Sequence, residues 1–157
     1  MTRISDDRLG KLKRDGLIKE CPFNPKAIEK LLERAAIDLD TAQRNLNDDP
    51  ECSFTYSYNA MLRSGLALMS QEGYRPDIKD KHQTVVRFVE AVLTNNIDQL
   101  IKEYNVMRRK RNRFIYEPDV PCSKDEAEFG LSSARRFVET IQAIIREKNP
   151  QKGSDFK

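Results

Sequence analysis

Met107-Arg108-Arg109-Lys110-Arg111-Asn112-Arg113-Phe114-Ile115-Tyr116 places five cations in ten residues of an otherwise ordinary amphipathic pattern. Apolar residues lead into it at Ile97, Leu100, Ile101, Tyr104 and Met107, a helical spacing, and the same face continues through Arg111 to Ile115. Arg109, Lys110 and Arg113 project from other faces. A guanidinium keeps its charge and is costly to bury alone, so Arg111 on an apolar stripe requires a carboxylate, a phosphate or a water-filled groove. Asp38 or Asp40 on the first long helix could supply the carboxylate. Alternatively, Arg111 faces a groove and binds a phosphate or RNA beside Asn112 and four other cations. Arg108, Arg109, Lys110 and Arg113 read as a solvated face that could also follow a phosphate backbone. Tyr116 reads as a packing residue with its hydroxyl at the groove mouth.

These residues must be positioned by a helical frame. With 157 residues the chain fits one domain that can bury a core without metals or disulfides. Its 34% charged and 38% hydrophobic residues suit a folded, highly charged helical protein. A net charge of +3 is too small for nucleic-acid binding by the molecule as a whole, so any such site is local. The apolar runs are too short to span a bilayer, and the start lacks the apolar core of a secretory signal; the expectation is a cytoplasmic protein without membrane contact. Cys21, Cys52 and Cys122 are odd in number and widely spaced, with His82 the single histidine, which argues against a disulfide framework, a metal site or a metal cofactor. Cys52 near a helix start has no adjacent basic partner and is not read as a nucleophile.

Helices are expected almost throughout. Residues 1–23 read as an N-terminal arm with a short helix over 5–15, closed by Gly16 and followed by a Cys-Pro break. Asn24 caps a long helix with Pro25 at its first position and Ile28, Leu31, Leu32, Ala35, Leu39, Ala42 and Leu46 on one face. Asn47-Asp48-Asp49-Pro50 ends it. A second long helix spans about Glu51 to Glu72, with Tyr58, Met61 and Met69 as core, and its small residues Ala60, Ser64, Gly65 and Ala67 admit close approach of another helix. Tyr74 to Asp77 reads as a loop. A shorter helix follows from about His82 to Leu93, broken by Asn95-Asn96 before the helix carrying Arg111. Ser123 and Glu126 form a capping box for the last helix. The bundle spans 24–149, residues 150–157 read as a disordered tail, and the architecture is an all-α, antiparallel up-and-down helical bundle.

Taken in order, Tyr58-Asn59-Ala60-Met61-Leu62-Arg63-Ser64-Gly65-Leu66-Ala67-Leu68-Met69, then Gly73-Tyr74-Arg75-Pro76, His82-Gln83-Thr84-Val85 and Arg111-Asn112 with Tyr116 resemble the HEPN superfamily. The resemblance covers about Ile28 to Ile145. It implies a helical bundle that forms homodimers, in a family of metal-independent endoribonucleases, toxins paired with nucleotidyltransferase antitoxins, and nucleotide-binding or inactive members. Its ribonuclease branch carries an arginine, a polar residue, a short spacer and a histidine. Arg111 and Asn112 match the first two; Tyr116 stands where the histidine would fall, and Pro118 where some toxins carry a further tyrosine. Metal-free RNA cleavage needs a base at the ribose 2′-hydroxyl and a cation against developing charge, and a phenol titrating near pH 10 is a poor base. His82 reads as a cap or surface contact at a loop end, with a place in the site as the alternative.

Three functions follow. The first is a domain binding RNA or a nucleotide around Arg111, Asn112 and Tyr116, with weakened or no catalysis, in a toxin–antitoxin or defence system. The second is an active endoribonuclease toxin using Arg111 with Tyr116 or His82. The third is a protein-interaction bundle in which Arg111 only ties helices together.

Overall fold

A computed structural model describes residues 6–93 and 97–149. Within them the order is α1 (Asp6–Arg14), β1 (Ile18–Glu20), α2 (Pro25–Asn45), α3 (Pro50–Gln71), β2 (Tyr74–Pro76), α4 (Lys81–Val92), α5 (Asp98–Tyr116) and α6 (Lys124–Lys148). The chain is an all-α, antiparallel helical bundle, with helix starts set by side chains that satisfy the otherwise orphaned first N–H groups. The Asn24 side chain accepts from the Ala27 N–H, Asp49 accepts from Cys52, and both precede a proline in the first turn. Ser123 and Glu126 complete the reciprocal capping box of α6. The Asn95-Asn96 break and the 150–157 tail lie outside the described residues.

α3 is the central helix. It packs on α2 along most of its length, on α6 next, and on α4 and α5 through its remaining face. This explains its composition: an enclosed helix has no wide polar face, and Phe54, Tyr58, Ala60, Met61, Ala67, Leu68 and Met69 are all inaccessible. The small residues are consumed inside the fold. A Cβ on Gly65 would lie 2.4 Å from Val85 Cγ1, so glycine is what lets α4 seat against α3. On α6, a Cβ at Gly130 would press on Phe54 at 3.0 Å and the Met107 methyl at 3.1 Å.

One expectation is corrected. Leu17-Ile18 and Tyr74 to Asp77 are not plain loop: β1 and β2 pair antiparallel, with Ile18 opposite Pro76 and Glu20 opposite Tyr74. Three residues are too few to show alternation, and the pairing joins segments more than fifty residues apart in sequence, so no local signal marks it. It ties the N-terminal arm to the stretch leading into α4.

Candidate functional site

The site is assembled where α3, α4 and α5 meet. α3 contributes Tyr58, the first turn of α4 contributes His82, and α5 contributes Tyr104, Arg108 and Arg111. Tyr104, Arg108 and Arg111 follow one another at helical spacing, so they share one face of α5. Tyr104 is inaccessible, while the two arginines are half-buried where that face emerges. Two residues ahead of His82, Asp80 adopts a left-handed backbone (φ 52°), unusual for a residue other than glycine. Its carbonyl accepts from Thr84 at 2.8 Å and opens the helix.

Three polar contacts link the buried groups. Tyr58 Oη lies 2.9 Å from His82 Nδ1 and donates to Tyr104 Oη at 3.4 Å, and Tyr104 Oη donates to the His82 carbonyl at 3.4 Å. The Tyr58 and His82 rings are stacked, 5.6 Å between centroids and 9° from parallel. The Arg111 guanidinium carbon sits 5.5 Å from the Tyr58 ring centroid, a cation–π arrangement.

The electrostatics follow from that geometry. Burial pushes the Tyr58 phenol up, against the Tyr104 hydrogen bond and the positive charges of Arg111 and Arg108. Tyr104 is raised well above its ordinary range, mainly by burial and then by Tyr58. Both phenols therefore keep their protons at neutral pH. His82 is lowered from 6.5 by burial first, then by Arg111, Lys81 and Arg108, so its imidazole is neutral at pH 7.

Arg111 does not pair with Asp38 or Asp40. Asp38 is occupied by Arg63 at 3.3 Å, across the α2–α3 contact, and Asp40 is exposed. Among the described residues neither Arg108 nor Arg111 has a carboxylate partner, and the Nε atom of each is buried without a hydrogen-bond acceptor. The other cations separate from them. Lys110 is bound to Glu126 at 2.6 Å, Arg113 pairs at 3.0 Å with Glu117, the residue capping the end of α5, and Arg109 is exposed.

The apolar stripe of α5 does not run on to Ile115. Ile115 is 52% exposed and Tyr116 79% exposed, because Phe114, about 100° round the helix, takes the inward position against Phe54 with centroids 5.2 Å apart. Tyr116 is thus not a packing residue. Asn112 is also exposed, so Arg111 is joined to the buried cluster while Asn112 and Tyr116 stand outside it. Tyr58 and Tyr104, read as core, are core residues whose hydroxyls form the floor of the site. A buried phenol must give its hydroxyl a partner, and that requirement was the available sign. Helical phase likewise places Arg108 between Tyr104 and Arg111, a relation hidden by reading it as one of a solvated group.

Cys21, Cys52 and Cys122 are free thiols. Cys52 lies in the first turn of α3, yet burial and then Asp49 raise its thiol, and Cys122 is pushed up to about 11. Both are poor nucleophiles at neutral pH. Among the described residues no three His, Cys, Asp or Glu side chains form a metal-binding group, and no helix is long and apolar enough to cross a membrane.

The HEPN domain model matches residues 28–145. A protein of Methanocaldococcus jannaschii named "Putative toxin MJ0142" is 28% identical over 135 residues, covering 83% of this chain and 89% of that relative.

Proposed function

The chain belongs to the HEPN domain family, and from that premise we propose that it binds RNA or a nucleotide by seating a phosphate on Arg108 and Arg111. The carrying observation is the pair of half-buried guanidiniums, one turn apart, that lack any carboxylate among the described residues and keep buried Nε donors unused. Two cations so placed repel each other and need an anion, and a phosphate accepts from guanidinium forks. Asn112 and Tyr116 are exposed on the same helix, and exposed Arg109 adds to the positive field there, while Arg113 is offset by Glu117. Catalysis through the α5 motif itself is weakened or lost, since Tyr116 stands in place of the imidazole and is 79% exposed. The toxin name of the archaeal relative supports a toxin role; the cytoplasmic toxin–antitoxin or defence setting and a nucleotidyltransferase-type antitoxin as partner are what the family resemblance implies for such a role.

A homodimer is part of the reading. The small residues of α3 do not support it, because they are buried within one chain; exposed Ile115 and Tyr116 at the end of α5 do, as apolar surface that a second copy would cover beside the groove. Fluorescence anisotropy with a single-stranded RNA oligonucleotide tests the binding reading. Affinity should fall with salt and fall further on Arg111→Ala, with a shallower salt slope as one phosphate contact is removed. No binding at low salt would refute it.

An endoribonuclease is the second reading, and one observation favours it: a neutral imidazole, His82, lies in the same cluster as Arg111.

A further inference from the structure

Away from the arginine pair, α2, α3 and the connection from β2 to α4 line an open groove of about 550 Å³. Its walls are aliphatic: Leu31 from α2, Leu66 from α3, and Pro76 and Ile78 at the end of β2. Ile78 is 94% exposed, more than any other large apolar residue described, and stands at the rim. Two cations border the same groove. Arg75 and Lys81 are both exposed, and among the described residues neither has a carboxylate partner. The one acid in the lining, Asp77, is already engaged: it accepts from the Ile78 N–H at 2.9 Å and lies 3.9 Å from Lys19. The groove is therefore apolar within and positive at its edge.

We propose that this groove docks an acidic amphipathic helix of a partner protein, with apolar side chains seated between Leu31, Leu66 and Ile78 and carboxylates on Arg75 and Lys81. The occupant is a protein segment because a small ligand held between the walls would leave Ile78 in water, whereas a segment that runs past the rim covers it. Nucleic acid would use the same cations but needs free ring faces for its bases. Tyr74, the aromatic residue of the lining, already has Lys13 4.9 Å from its ring centroid and Phe88 beside it at 5.8 Å. An added strand is disfavoured because Pro76 has no N–H to give a new neighbour of β2. Recognition then falls to side chains at helical spacing along the incoming segment. Carboxylates flanking its apolar stripe meet the two unpaired cations, and opposite charge sets its orientation and speeds encounter. This docking does not depend on a phosphate at Arg108 and Arg111.

The probe is a synthetic fluorescein-labelled peptide with leucines at helical spacing and glutamates between them, titrated into the full chain by anisotropy. It should bind in the range of tens of micromolar, and exchanging its leucines for serine, or its glutamates for lysine, should weaken it roughly tenfold or more. Ile78→Ser and Arg75→Glu, both at exposed positions, should each weaken it about fivefold while the melting temperature holds within about 2 °C. Cys21 lines the groove, and the other two free thiols, Cys52 and Cys122, do not. Iodoacetamide labelling read by mass spectrometry therefore locates the peptide, which should protect Cys21 several-fold and leave Cys52 and Cys122 unchanged. No binding at millimolar peptide, equal binding by the serine form, or an unprotected Cys21 would overturn the proposal. So would protection of Cys21 by a single-stranded RNA oligonucleotide, which would give the groove to nucleic acid. A dimer lost on Ile78→Ser in sedimentation would give it to a second copy of this chain and overturn the proposal equally.

Discussion

Two places in this bundle put arginine into a helix interface, and they resolve the charge in opposite ways. Between α2 and α3, Arg63 meets Asp38, a carboxylate that is 1% exposed, at 3.3 Å. On α5, Arg111 lies over the Tyr58 ring and, among the described residues, neither it nor Arg108 has a carboxylate partner. Burial pushes Asp38 up against the pull of Arg63 and Arg34, and although its Oδ2 and Arg63 Nη1 make no hydrogen bond, each buried charge has the opposite charge at ion-pair distance inside the fold. The α5 arginines are open on one side. A cation with an internal partner holds the fold, and a cation without one is available to something outside it.

The contrast can be broken most sharply by mutation. Arg63→Ala strands the Asp38 carboxylate and should destabilise the protein by about 3 kcal/mol in chemical denaturation, partial protonation of Asp38 limiting the loss. Arg111→Ala removes no ion pair and relieves repulsion with Arg108, so its loss should stay under about 1 kcal/mol, the scale of a cation–π contact near the surface. Next in size is Gly65→Ala. Its Cβ would collide with Val85, and the resulting shift of α4 should cost about 2 kcal/mol and loosen the Tyr58–His82 contact, read as a downfield change at the histidine ring nitrogens.

Tyr104→Phe takes away the hydroxyl between Tyr58 and the His82 carbonyl and should cost about 1 kcal/mol by thermal melting, without altering Arg63 or Asp38. The smallest effect is on pH. His82 titrates below 6.5 in the folded state, so as pH falls through 6.5 the unfolded chain takes up a proton that the folded chain refuses. The stability present above that point declines as pH drops through the lower folded value. His82→Gln should flatten this part of the melting-temperature curve and leave the Asp38 region unaffected.

The helices were legible because their signals are local. Asn24-Pro25, Asp49-Pro50 and Ser123 with Glu126 announce helix starts within four residues of sequence, and the apolar stripes of α2 and α6 need only a helical period. The importance of Arg111 was legible for the same reason, as a cation on an apolar phase. What it faces was not. The nearest carboxylates on the preceding long helix looked like partners, yet Asp38 turns toward Arg63 on the neighbouring α3, a matter of helix rotation that a linear pattern does not encode. His82 looked like a loop-end cap because its contacts, to Tyr58 and Tyr104, come from residues 24 and 22 positions away. Ile115 and Tyr116 were misplaced by extending a stripe past the point where Phe114 takes over the inward face.

The central claim is that Arg111 is kept for an anion and not for the fold. Melting temperatures of wild type and Arg111→Ala, each with and without saturating single-stranded RNA at low salt, test it in one plate. Melting points within about 3 °C of each other without RNA, a rise for the wild type on RNA addition, and a clearly smaller rise for Arg111→Ala are predicted, since a ligand stabilises the state that binds it in proportion to its affinity. A drop of several degrees for Arg111→Ala without RNA, with both proteins indifferent to RNA, would contradict it and make Arg111 a structural tie.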